Sequence, residues 1–176
     1  MKTKLLIILL MPYILFSQEE ENDEGIMYSI SGMVEAVYQK QFLGCINLAF
    51  GFINYRTPIG LFAHGPFVGF ENNFRLNNIS GIKIGYSFDH FFGISYRFFY
   101  GVSFKFSVIN YYSNNISDLR LMPEIGINIF SVLIITYGYS IPIFEKQINE
   151  IGKHRIALTI KMPMFIYEKN KWYWFF

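Results

Sequence analysis

Large apolar residues return at every second position along most of this chain, and that period admits few folds. Ile46, Leu48, Phe50 and Phe52 alternate with Cys45, Asn47, Ala49 and Gly51. Ile82, Ile84, Tyr86 and Phe88 alternate with Gly81, Lys83, Gly85 and Ser87. Tyr100, Val102, Phe104, Phe106 and Val108 alternate with Gly101, Ser103, Lys105 and Ser107, and Ile156, Leu158, Ile160 and Met162 with Arg155, Ala157, Thr159 and Lys161. Successive side chains of a strand point to opposite faces, whereas a helix spreads an apolar stripe at a period of 3.6. The chain is therefore all-β, with strands expected near 27–38, 43–55, 66–73, 79–88, 92–111, 119–129, 132–141 and 154–166.

Two stretches leave the strand plan open. Even parity runs unbroken from Ile82 to Val108, so the turn falls at Asp89-His90 or near Phe98-Phe99, and an extra strand pair there would give ten strands instead of eight. The connection from Arg56 to Gly65 is long and apolar. Polar loops are expected at Asn72-Asn73 with Asn77-Asn78, at Asn114-Asn115 through Asp118, and from Glu145 to Lys153, with a tight turn at Ser131. Residues 125–144 carry no charge and have the length of a membrane helix, but Gly126, Asn128, Gly138, Ser140 and Pro142 interrupt them, and no other segment compares.

Which face meets which solvent follows from composition. Apolar residues make up 52% of the chain, aromatics 20% and charged residues only 16%, against about 25% charged in ordinary soluble domains. One parity is dense with Ile, Leu, Phe and Tyr. The other is mostly Gly, Ser, Ala, Asn and Thr with single charges. That pattern is inverted: apolar outside and polar within, as in a transmembrane β-barrel. Closure is required, because an open sheet edge in hydrocarbon leaves N–H and C=O groups unpaired. The expectation is one closed antiparallel up-and-down transmembrane barrel, most simply of eight strands. Ile46, Phe50, Ile82, Ile84, Phe104, Phe106, Ile127 and Leu158 would face lipid. Tyr28, Tyr38, Tyr55, Tyr86, Tyr96, Tyr100, Tyr111, Tyr112, Tyr137 and Tyr139 would form interfacial girdles. Arginine at Leu158 or Phe104 should then be costly, and Asp89 or Asn115 should tolerate it.

The N-terminus reads as an address. Lys2 and Lys4 precede an apolar run from Leu5 to Phe16, and Ser17 is a small residue suited to cleavage. This is the layout of a signal peptide over residues 1–17, with a retained anchor helix as the alternative. An acidic mobile terminus over 18–25, a barrel over 26–167, and a tail or short final strand over 168–176 complete the plan. Removing Lys2 and Lys4 lowers Lys+Arg from 15 to 13, equal to the 13 acidic residues. A chain so balanced offers no electrostatic footprint for nucleic acid.

The leader, the inverted alternation and the terminal Phe176, with Trp172 and Trp174 at alternate positions before it, resemble the small outer-membrane β-barrel proteins of Gram-negative bacteria. So do Pro123-Glu124-Ile125-Gly126, Tyr137-Gly138-Tyr139 and His154-Arg155. The resemblance implies an outer-membrane location, outer-membrane lipid as surroundings, and recognition of the C-terminal aromatic residue by the assembly machinery. Glu168-Lys169-Asn170-Lys171 separates that residue from the last strand, a departure from the pattern.

Chemistry is sparse. Glu35, Glu71 and Glu124 share the inward parity with Lys83, Lys105 and Lys161, and Arg97, Arg120 and Arg155 add to them near the ends; an internal salt-bridge network is expected. His64, His90 and His154 lack metal-ligand spacing, and the lone Cys45 reads as a buried thiol, so neither metal nor cofactor is expected. The expected role is a structural or surface-interaction barrel without catalysis, with residues 112–119 and 142–153 as contact loops. A lipid-modifying enzyme using Ser140, His154 and Glu145 or Glu150 is one alternative; a narrow channel is the other.

Overall fold

The computed structural model describes residues 26–57, 60–73, 79–92, 100–129, 132–144, 147–168 and 171–174. The expectations for residues 1–25, Asn77-Asn78, Tyr96, Arg97, Ser131, Glu145 and Phe176 lie outside them.

The alternating segments fold as strands β1 (Ile26–Tyr38), β2 (Phe42–Thr57), β3 (Gly60–Asn72), β4 (Ser80–Phe92), β5 (Tyr100–Ser113), β6 (Ile116–Ile129), β7 (Leu133–Tyr139), β8 (Ile141–Pro142), β9 (His154–Glu168) and β10 (Lys171–Trp174). Each strand from β1 to β6 pairs antiparallel with its successor, β7 pairs with β9, and β9 pairs with β1. The result is a closed eight-stranded antiparallel barrel. The other two runs are appendages. β8 continues the line of β7 past Ser140 and pairs with β6. β10 folds back on the end of β9, from Lys171↔Glu168 to Trp174↔Phe165. Among the described residues no helix is long and apolar enough to cross a membrane. Residues 125–144 belong instead to β6, β7 and β8 and what joins them.

Several boundaries differ from the sequence expectation. The apolar connection expected from Arg56 to Gly65 is a hairpin: Thr57 pairs with Gly60, and Phe62 and His64 pair with Asn54 and Phe52. A register shift between Asn54 and Thr57 breaks the period there and hides the strand. β4 runs through Asp89-His90, which are therefore no turn, to Phe92, which pairs with Tyr100; the alternative near Phe98-Phe99 lies outside the described residues. The loop expected through Asp118 shrinks to Asn114-Asn115, both at positive φ (46° and 64°), the backbone of a two-residue hairpin turn that asparagine tolerates. Ile116–Asp118 are strand.

Parity holds through the barrel. Ile46, Ile84 and Ile127 are 69%, 62% and 59% exposed, and Phe50, Ile82, Phe104, Phe106 and Leu158 are exposed with them. Glu35, Glu71, Lys83, Lys105 and Glu124 are buried. Neighbouring strands carry the outer residues side by side: Val34 pairs with Ile46 and Ile160, and Ile84 with Val68. Exposed Tyr38, Phe42, Tyr112, Tyr137 and Tyr139 sit toward one end of the barrel, and Phe92 and Tyr100 at the other. Tyr111 departs from the girdle expectation: it is fully buried and points inward.

Candidate functional site

Six strands each send one charged side chain to the same level of the interior. Inward parity supplies Glu35 from β1, Glu71 from β3, Lys83 from β4, Lys105 from β5, Glu124 from β6 and Arg155 from β9. The Glu35 carboxylate accepts from Lys83 Nζ at 2.8 Å, Lys105 Nζ at 3.0 Å and Thr159 Oγ1 at 3.2 Å, and Arg155 Nη2 stands 3.4 Å away. Glu71 takes both arms of the Arg155 guanidinium, at 2.6 and 3.0 Å, and the Tyr111 hydroxyl at 2.8 Å. Glu124 pairs with Arg155 Nε at 2.9 Å and accepts from Thr136 Oγ1 at 2.8 Å.

Three carboxylates thus face three cations in a space closed to water. A buried ion costs several kcal/mol unless a partner and hydrogen bonds compensate it. Here each has at least one opposite charge within 3.5 Å. Small inward residues make room for these long side chains. Gly138 lies between Glu124 and Arg155 across the strands, and a Cβ there would come 2.6 Å from Glu124 Cγ. A Cβ on Gly81 would come 2.8 Å from the Tyr111 ring.

Sequence parity found Glu35, Glu71, Lys83, Lys105 and Glu124 together. Arg155, expected only near an end, is the centre of the cluster. Lys161 is not in it: its ammonium lies 3.2 Å from Asp89 Oδ2, while Asp89 Oδ1 accepts from the Ser103 hydroxyl at 2.6 Å. Asp89 was read as a turn residue, but it is buried on the inner face and is therefore no neutral place for arginine.

Above the cluster the interior is apolar. Val37, Leu43, Ile79, Ile109, Tyr111 and Met122 pack with Ile148 and Ile151 from the loop after β8. That loop had been read as an external polar connection. Its two isoleucines instead enter the barrel mouth, held by a second ion pair. Arg120 donates to Asp118 at 2.6 and 2.9 Å and to the carbonyls of Ile148, Ile151 and Gly152 at 3.1–3.3 Å. Asp118 also accepts from the Ile148 N–H at 2.9 Å, and Gln39 Nε2 donates to the Gly152 carbonyl at 2.7 Å.

Ser140 is buried and its Oγ accepts from Arg120, whereas His154 is exposed on the outer surface and shares a hydrogen bond with the Tyr137 hydroxyl at 2.6 Å. The two lie on opposite sides of the barrel wall, so they form no nucleophile–base pair. Cys45 lies with Glu35 and Glu71 within 4.8 Å. Those carboxylates already hold Lys83, Lys105 and Arg155, and the Cys45 thiol donates to Asn47 Oδ1 at 3.2 Å. A divalent cation placed there would meet three positive groups at contact range. His64 and His90 stay on separate strands within an aromatic patch, His64 near Tyr86 and Phe88, His90 between Phe62 and Phe92.

No protein-family model matches the chain, and no curated protein matches it.

Proposed function

We propose that the protein is an integral outer-membrane barrel of a Gram-negative bacterium, exported by a cleaved signal peptide, with a structural or surface-interaction role and no catalysis. One observation carries the reading: the barrel buries its charges and exposes its apolar residues. In water, a continuous belt of exposed aliphatic and aromatic side chains around the barrel would be a severe aggregation liability; in hydrocarbon it is the stable arrangement. Dimensions agree with this environment. Outward parity on β4 runs from Ile82 to Phe92, and those ten residue steps at ~3.3 Å rise and ~40° tilt cover about 25 Å, the usual height of an apolar band.

The interior argues against the channel alternative. The ion cluster fills the cross-section, and the loop carrying Ile148 and Ile151 caps one mouth. The separation of Ser140 from His154 likewise favours the non-catalytic reading. The remaining exposed groups of that loop, among them Gln147, Asn149 and Glu150, are the surface a partner would meet.

Membrane fractionation with heat-modifiable gel mobility tests the reading. The expected result is recovery in the outer-membrane fraction, with a compact band that shifts on boiling. Recovery in the soluble fraction would overturn it. In planar bilayers the folded protein should be silent.

A further inference from the structure

Among the described residues, acids and bases inside the barrel match: Glu35, Glu71, Asp89, Asp118 and Glu124 against Lys83, Lys105, Arg120, Arg155 and Lys161. One place outside it is different. A cleft of about 280 Å³ is lined by Tyr38, Lys40, Tyr137, Lys153, His154 and Ile156, with Gly152 at its edge. Two lysines and a histidine stand along it, and among the described residues no carboxylate lines it.

The cleft is built by neighbouring strands. Ile156 on β9 pairs with Tyr38 on β1 and with Tyr137 on β7, so the three form an apolar floor on the outer face. Lys40 rises from the β1–β2 turn at φ 65°, and its ammonium donates to the Asn149 carbonyl at 2.6 Å. That bond fixes the lysine over the cleft and uses one of its three protons. The His154 ring is fixed too: Nδ1 meets the Tyr137 hydroxyl, and the ring packs edge-on to Tyr139 at 5.4 Å. With Nδ1 engaged, Nε2 is the nitrogen available to a ligand. Below the floor the apolar surface continues without a break through Val34, Ile135, Leu158 and Ile160.

We propose that this cleft binds the phosphate of a phosphorylated lipid headgroup, held by Lys40, Lys153 and His154, with the lipid's acyl chain along the Val34–Leu158–Ile135 stripe. The two ammonium groups, which pair with no carboxylate among the described residues, supply the attraction, and charge-assisted hydrogen bonds to phosphate oxygens are the strong kind. The aliphatic stripe beneath is what a lipid uses and a free anion does not. The proposal rests on the membrane reading above.

The test separates the two. Full-length protein is first folded into phosphatidylcholine vesicles, and heat-modifiable mobility reports insertion; failure here counts against the membrane reading. Inserted protein is then extracted from vesicles with and without phosphatidic acid, and retained lipid is measured by native mass spectrometry. Retention of phosphatidic acid over phosphatidylcholine is expected, falling about tenfold in the Lys40→Gln/Lys153→Gln double variant, and unaffected by equimolar inorganic phosphate. Lys153→Glu, which removes no hydrogen bond within the protein, serves as the second variant should the first not fold. Equal retention of the two lipids, or unchanged retention in a folded variant, overturns the proposal. Displacement by equimolar inorganic phosphate overturns the lipid assignment in favour of a simple anion site.

Discussion

Arg155 reaches three carboxylates from one position on β9, and what it holds can be measured. Replacing it by methionine keeps most of its bulk but leaves Glu71 and Glu124 without their guanidinium partner. Breaking a buried ion pair by removing one member costs about 3–5 kcal/mol, so Arg155→Met should lower stability by that amount in urea unfolding from vesicles. Lys161→Met should cost clearly less, since its side chain is 18% exposed and has one acid partner. Equal losses would show that the interior does not distinguish the central cluster from its margin. On the outer face, Leu158→Arg and Phe104→Arg should each cost about 2–4 kcal/mol in a bilayer, while Gln147→Arg on the exposed loop should be near neutral. Gln147 replaces Asp89 and Asn115 as the tolerant position, because the first is buried beside Lys161 and the second sits at positive φ.

The elements divide into those a local pattern reveals and those it does not. Which way a side chain points on a strand is a local property, so Ile84, Phe104 and Leu158 could be assigned outward before any pairing was known. A hairpin is less local. The β2–β3 turn was hidden because the register shift near Asn54 interrupts alternation, and Phe62 inside the supposed loop looked like linker rather than strand. Partners inside the barrel were less legible still. Glu35 and Arg155 meet only because the stagger of β1 against β9 sets Glu35 opposite Thr159, and no window of sequence contains that offset. The loop from Ile143 to Lys153 misled through composition: its charged and amide residues conceal Ile148 and Ile151, the two that fix its fold. The Asn114-Asn115 turn gives an element-scale prediction. Asn115→Gly should be neutral or slightly stabilising, whereas Asn115→Val should cost about 1–2 kcal/mol, because a β-branched residue resists positive φ. Refolding yield and urea midpoint would read both.

At the scale of the whole molecule, Arg120 ties the cap to the wall through Ile148, Ile151 and Gly152. Arg120→Ala should therefore loosen the loop while leaving the barrel closed. The expected signature is faster proteolysis within residues 143–153 with heat-modifiable mobility retained. Undiminished protease resistance would assign the cap's stability to Ile148 and Ile151 alone.

The seam between the first and last strands has a consequence for assembly. Arg155 and Thr159 meet Glu35 across 120 and 124 positions of the chain. Until β9 docks, Glu35 and Glu71 have only lysines as charged partners, and the guanidinium that bridges them to Glu124 is absent. Zipping the seam and neutralising the centre are thus a single event. A half-built cylinder lacking β9 would keep unbalanced charge at its heart, which ties completion of the interior to the arrival of that strand.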